Sequence, residues 1–113
     1  MVKFDYDSEQ DILNINKSQI KESIELIDGF YIDLDSKKKI VGVEILFASK
    51  ILSEISSGKI NKQFLEDLNS VNIDVLKYKN SFILKLLFVS DKSKQAISMP
   101  VYDLFANPNC VVA

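Results

Sequence analysis

The stretch IDGFYIDLDSKKKIVGVEILFASKILSEISS, residues 27–57, decides the fold. Phe30, Ile32 and Leu34 alternate with Tyr31, Asp33 and Asp35; after a polar run, Val41, Val43 and Ile45 alternate with Ile40, Gly42 and Glu44. A period of two over both arms gives a hairpin with one apolar face and one partly polar face. Taking Ser36 to Lys39 as the loop sets Leu34 opposite Val41, Ile32 opposite Val43 and Phe30 opposite Ile45, with Asp33 facing Gly42 and Tyr31 facing Glu44. A slip by one residue would put Val41 across from Asp33, so the pattern selects its own register. The period then changes. Ala48, Ile51, Leu52 and Ile55 form one helical stripe, and Gly58 stands ready as the C′ stop.

Towards the N-terminus, Val2, Phe4 and Tyr6 alternate with Lys3, Asp5 and Asp7, and Leu13 and Ile15 follow after a turn. A loop from Ser8 to Asp11 pairs Tyr6 with Leu13 and Phe4 with Ile15. This unit and the later one share an Asp-x-Asp-Ser-x-x-x-Ile pattern, starting at Asp5 and at Asp33. Asp and Ser start such turns by bonding nearby backbone N–H groups. Lys17 to Glu22 is a polar connection, and a third strand starts near Ser23 and bends at Asp28-Gly29.

Towards the C-terminus, Asn61 is the expected N-cap of a second helix, with Ile60 and Leu65 as its hydrophobic staple and Phe64, Leu65 and Leu68 buried. That helix is expected to end near Asn69. Strands follow over Ile73 to Tyr78, Phe82 to Val89 and Gln95 to Tyr102, with a tight turn at Asn80-Ser81. Pro100 makes the last of them an edge strand. A turn at Ala106-Asn107-Pro108-Asn109 and a tail from Cys110 complete the chain. The expected fold class is antiparallel α+β, about seven strands with two short helices mid-chain, in one domain over residues 1–113. It divides into a four-stranded N-terminal meander (1–47), helices (48–70) and a three-stranded C-terminal meander with a tail (71–113).

Composition excludes more than it assigns. The chain of 113 residues has no His, no Trp and no Arg, and all 14 of its basic residues are Lys. Ser-His-Asp and Cys-His catalysis are therefore out, as are His-bearing zinc sites. Cys110 stands alone, so neither an intrachain disulfide nor a thiolate cluster is possible. Without Arg there is no bidentate clamp for phosphate or guanine. A net charge of −2 gives no overall attraction to nucleic acid or anionic membranes. No apolar run reaches the ~20 residues of a membrane span. Met1 to Asp5 lacks the apolar core of a signal peptide, so a cytoplasmic location is expected. No cofactor, metal, nucleic acid or membrane is expected as a partner.

Asp5, Asp7, Glu9 and Asp11 have the spacing of calcium-loop oxygens, but Gln10 and Asn16 stand where that loop needs Gly and Glu, so they read as turn acids. Tyr31, Asp33, Gly42 and Glu44 share the polar face of the central hairpin. Two strand-borne carboxylates there can serve as acid and base, and Gly42 leaves a gap for a ligand or a partner backbone. An exposed sheet face accounts for the same residues without any ligand. Lys37, Lys38 and Lys39 read as a solvated hairpin tip.

Asp28-Gly29, Asp33-Leu34-Asp35, Ile40 to Leu46 and Ala48-Ser49, together with Asp5 to Leu13, resemble the prokaryotic family catalogued as domain of unknown function 2283, over about residues 3–50. Asn14 stands where the family commonly has Tyr, and Lys38 where its hairpin often has Gly. The family has no established activity, and its association with small toxin-like genes implies an antitoxin-like partner role. The leading expectation is a non-enzymatic protein–protein interaction module. An antitoxin-like neutralising partner of a small basic toxin, and a ligand binder or enzyme using Asp33 and Glu44, are the alternatives. Unprotected strand edges and a second apolar face at Ile83, Leu87 and Val89 predict a homodimer, with Leu87 and Val89 near the contact.

Overall fold

The computed structural model describes residues 2–78 and 81–102. Over them run β1 (Lys3–Asp7), β2 (Ile12–Asn16), β3 (Glu22–Ile27), β4 (Phe30–Leu34), β5 (Ile40–Ile45), α1 (Ala48–Ile55), α2 (Lys62–Glu66), β6 (Leu68–Tyr78), β7 (Ser81–Ser90) and β8 (Lys94–Tyr102). The class is antiparallel α+β with the helices mid-chain, as the sequence predicts, built here from eight strands. The additional strand arises at Asp28-Gly29. Gly29 takes φ 84°, which closes a two-residue turn, so the expected bent strand is the hairpin β3–β4.

The strands form two sheets, a five-stranded one in the order β1-β2-β5-β4-β3 and a three-stranded one in the order β6-β7-β8. The C-terminal meander is as expected; the N-terminal one is not a meander. Its first hairpin docks through β2 onto β5, with Leu13 opposite Ile45 and Ile15 opposite Val43. Leu13 and Ile15 are fully buried, the condition of an interior strand flanked on both sides. Pro100 lies on the edge strand β8, where its missing N–H costs the ladder nothing.

The first hairpin has the expected register, with Phe4 opposite Ile15 and Tyr6 opposite Leu13. The β4–β5 hairpin keeps four of its five expected pairings but not the last, since Leu34 faces Ile40 rather than Val41. The loop is one residue shorter than Ser36 to Lys39. Asp35 N–H donates to the Lys39 carbonyl (3.0 Å), Lys38 N–H donates to the Asp35 carbonyl (3.0 Å), and Lys38 takes φ 67°. This is the three-residue loop made of a turn followed by a left-handed residue, which shifts the ladder by one. The Asp35 carboxylate accepts from Lys37 N–H (2.8 Å) and Lys39 N–H (2.9 Å). Asp7 repeats the device on Glu9 and Gln10 N–H, which explains the shared Asp-Ser pattern.

Inner faces of both sheets and both helices share one core. Ile32, Val43, Ile45, Leu52, Phe64, Val71, Leu86 and Phe88 are among its members. The six alternating apolar residues of β4 and β5 are all buried. Helix α1 docks through Ala48 and Leu52, whereas Ile51 is half-buried and Ile55 is 37% exposed, so its buried stripe is narrower than the sequence pattern. Its C-terminus closes as a Schellman turn: Gly58 N–H donates to the Ser53 carbonyl (2.7 Å), and Ser57 (φ 57°), one residue before Gly58, occupies C′. Helix α2 has the expected cap, Asn61 Oδ1 accepting from Phe64 N–H (2.9 Å). It stops at Glu66, short of Asn69, because Leu68 already pairs with Ser90 across a bulge at the start of β6. Of the turn expected at Asn80-Ser81, Ser81 opens β7 opposite Tyr78, whereas Asn80, the turn at 106–109 and the tail with Cys110 lie outside the described residues.

Candidate functional site

Register alone assembles the polar face of the five-stranded sheet. One row across it reads Asp5, Asn14, Glu44, Tyr31, Glu25, and the next reads Lys3, Asn16, Gly42, Asp33, Ser23. The structure thus brings Tyr31, Asp33, Gly42 and Glu44 together on β4 and β5. It adds Ser23, which the sequence marks only as the beginning of a strand.

At the centre, Asp33 has no exposed surface. Its Oδ1 accepts from the Ser23 hydroxyl at 2.6 Å, and the same hydroxyl lies 3.3 Å from Glu44 Oε2. Asp33 Oδ2 is buried with no hydrogen-bond partner. Burial first, and then the adjoining Glu44 carboxyl, push the Asp33 carboxyl up to about 7, against the Ser23 hydroxyl, which favours ionisation. The Tyr31 hydroxyl is pushed up as well, chiefly by Glu25 opposite it.

The gap expected at Gly42 is occupied. A Cβ there would lie 2.7 Å from the Ile15 carbonyl oxygen and 3.0 Å from Asp33 Oδ2. Glycine is the residue that lets the Asp33 carboxyl lie flat over the neighbouring strand. A protonated carboxyl beside a second carboxylate is the arrangement of an acid–base pair. Here Asp33 is fully covered, while Glu44 beside it is half-buried.

Two of the acids with calcium-loop spacing, Asp7 and Asp11, serve as caps. Asp7 closes the β1–β2 turn, and Asp11 caps a helix 38 residues away in sequence: its carboxylate accepts from Ser49 N–H (2.9 Å) and Ser49 Oγ (2.7 Å), and from the Tyr6 hydroxyl (2.6 Å). Its carbonyl accepts from Ala48 N–H (2.8 Å). Burial disfavours the Asp11 anion, but the Tyr6 and Ser49 hydrogen bonds outweigh it and hold the carboxyl below its ordinary value. The sequence signal for this tie is Phe47 itself, an N-cap residue without a capping side chain, so the cap has to come from elsewhere. Among the described residues, no group of three or more acidic or sulfur side chains is placed to hold a metal ion.

Two further surfaces stand out. Leu87 and Val89 lie half-buried on the outward face of β7, in rows with Asn72 and Ala96 and with Ser70 and Lys94. A cavity of about 450 Å³ opens between the sheets at the end where the β4–β5 hairpin meets β6 and β7. Sequence reasoning missed it because its lining comes from strands of both sheets.

No helix among the described residues is long and apolar enough to cross a membrane. No curated protein and no solved structure matches the chain. The unit from β1 to the first turn of α1, tied shut by Asp11 and Ser49, is nevertheless a recognised one: residues 3–49 match the family model described as "Protein of unknown function (DUF2283)".

Proposed function

We propose that this chain is a non-enzymatic protein–protein interaction module, with a contact surface centred on the outer side of α1. One observation carries the reading: Phe47 is 64% exposed and held at φ 51°, ψ 46°. A left-handed conformation costs an aromatic residue on the order of 1–2 kcal/mol, and such strain collects where the exposed side chain has a use. Ile51 and Ile55 continue the strip along α1, and Ile27, 45% exposed, ends the neighbouring β3. The turn after Ile27 abuts the helix, because Gly29 accepts from Leu46 N–H (2.7 Å) and a Cβ on Gly29 would lie 3.0 Å from Ile51 Cδ1. Apolar surface gathered in this way marks an interface.

A second copy of the chain is the first partner to test. Sedimentation of the wild type at micromolar concentration is expected to give a dimer that Phe47→Asp dissociates and Leu87→Lys leaves intact. The reverse pattern moves the contact to Leu87 and Val89 on the three-stranded sheet. A monomeric wild type, with no partner whose capture from the native host depends on Phe47, overturns the reading. A narrower form, an antitoxin-like partner of a small basic toxin, draws support from the row Asp5, Glu44, Glu25 on the polar face, which complements a cationic surface. Charge reversal at Asp5 and Glu25 is then expected to weaken capture of that partner.

A further inference from the structure

The inter-sheet cavity joins an apolar floor to a cationic rim. Leu34 and Ile40 of the first sheet and Val75 and Phe82 of the second line its base. Lys17, Lys38, Lys39 and Lys77 surround it, with Asp74 as the one acidic group. Four lysines against one carboxylate is a local excess of positive charge in a chain whose net charge is −2. The ion pair found among the described residues takes up Lys38, through Glu22; Lys39 also acts on the Asp35 carboxylate, and Lys17 and Lys77 are exposed. The volume of about 450 Å³ falls within the range of small-molecule sites, ~300–1,000 Å³.

From this geometry we infer that the cavity binds a small amphipathic organic anion, its hydrocarbon body on Leu34, Ile40, Val75 and Phe82 and its acidic head among the lysines. The division of labour follows from the side chains. Lysine stems extend the apolar wall, while their ammonium groups stay near water, where they meet a carboxylate without full desolvation. An uncharged hydrocarbon leaves the lysines unengaged, and a cationic amphiphile meets them with repulsion. The site lies away from the α1 strip, so it stands or falls independently of the proposed interaction surface.

Octanoate and octylammonium are matched probes. In a nitrogen-15 NMR titration of the full chain, octanoate is expected to shift the amides of Ile40, Val75 and Phe82 saturably and to leave Leu87 unmoved. Octylammonium is expected to shift none of them. Replacing Lys17 and Lys77 together by Gln, at exposed positions where folding is undisturbed, is expected to weaken octanoate binding about five- to tenfold, and added salt to weaken it further. Saturable binding of both probes, or of octanoate with the same affinity in the double variant, would make the cavity a plain apolar cleft and overturn the proposal. So would octanoate shifts that never saturate.

Discussion

Buried over Gly42 with Glu44 alongside, Asp33 keeps its proton up to about pH 7, whereas the same carboxyl in an unfolded chain loses it near ~3.9. Between those values the folded chain binds the additional proton, so stability declines as pH rises through that window and the cost is complete above it. Asp33→Asn keeps the shape and removes the charge. It is expected to match the wild type near pH 4 and to exceed it at pH 8 by ~1–4 kcal/mol in urea denaturation. Equal pH slopes for the two proteins would mean that Asp33 is ionised at no cost. Gly42→Ala places a methyl group against the Ile15 carbonyl and the Asp33 carboxyl, and a loss of ~1–3 kcal/mol is expected by the same measurement.

At the level of elements, two turn devices invite substitution. Lys38 holds a left-handed φ that glycine adopts freely, so Lys38→Gly is expected to raise the free energy of unfolding by up to ~1 kcal/mol, less what the exposed pair with Glu22 contributes, as read by urea denaturation. Asp11 carries more. Asp11→Ala removes the cap of α1 and leaves the Tyr6 hydroxyl without its acceptor, for an expected loss of ~1.5–3 kcal/mol. Its depressed carboxyl pKa makes the contribution present above the unfolded value and lost as pH falls below it, the opposite sense to Asp33. Amide exchange at Ile51 and Leu52 checks the placement, since loss of the cap is expected to speed it selectively.

At the scale of the whole molecule, the legible part of the fold was whatever period and turn chemistry carry locally. The alternation in β1, β2, β4 and β5 gave the hairpins and the six-residue apolar face, and Ile32→Ala in that face is expected to cost ~2–5 kcal/mol. Asp28-Gly29 is a legible turn signal too, but the apolar alternation runs straight across it and masks the break. Adjacency between β2 and β5 was not legible, since neither strand's pattern names its neighbour. The beginning of β6 was hidden by Asn69, Ser70 and Asn72, polar residues of an edge strand, of which Ser70 and Asn72 pair and Asn69 sits in the bulge. The polar cluster followed from register. Its closure by Ser23 and Gly42, and the lysine-rimmed cavity, depend on how separate elements meet in space.

The strand order has a consequence for the newborn chain. As synthesis proceeds from the N-terminus, β1 and β2 can pair as soon as Asn16 has emerged, but the other side of β2 waits for β5, completed only at Ile45. At ribosomal speeds of roughly 5–20 residues per second, that interval lasts about 1–6 s. Throughout it, Leu13 and Ile15 sit on an open strand edge, the state in which nascent chains on neighbouring ribosomes pair with one another. Asp11 adds a second wait, because its acceptor oxygens meet Ser49 only after the last strand of that sheet is in place. Premature termination between Asn16 and Ile45 therefore releases fragments with an unmated interior strand, and these are the truncations expected to aggregate.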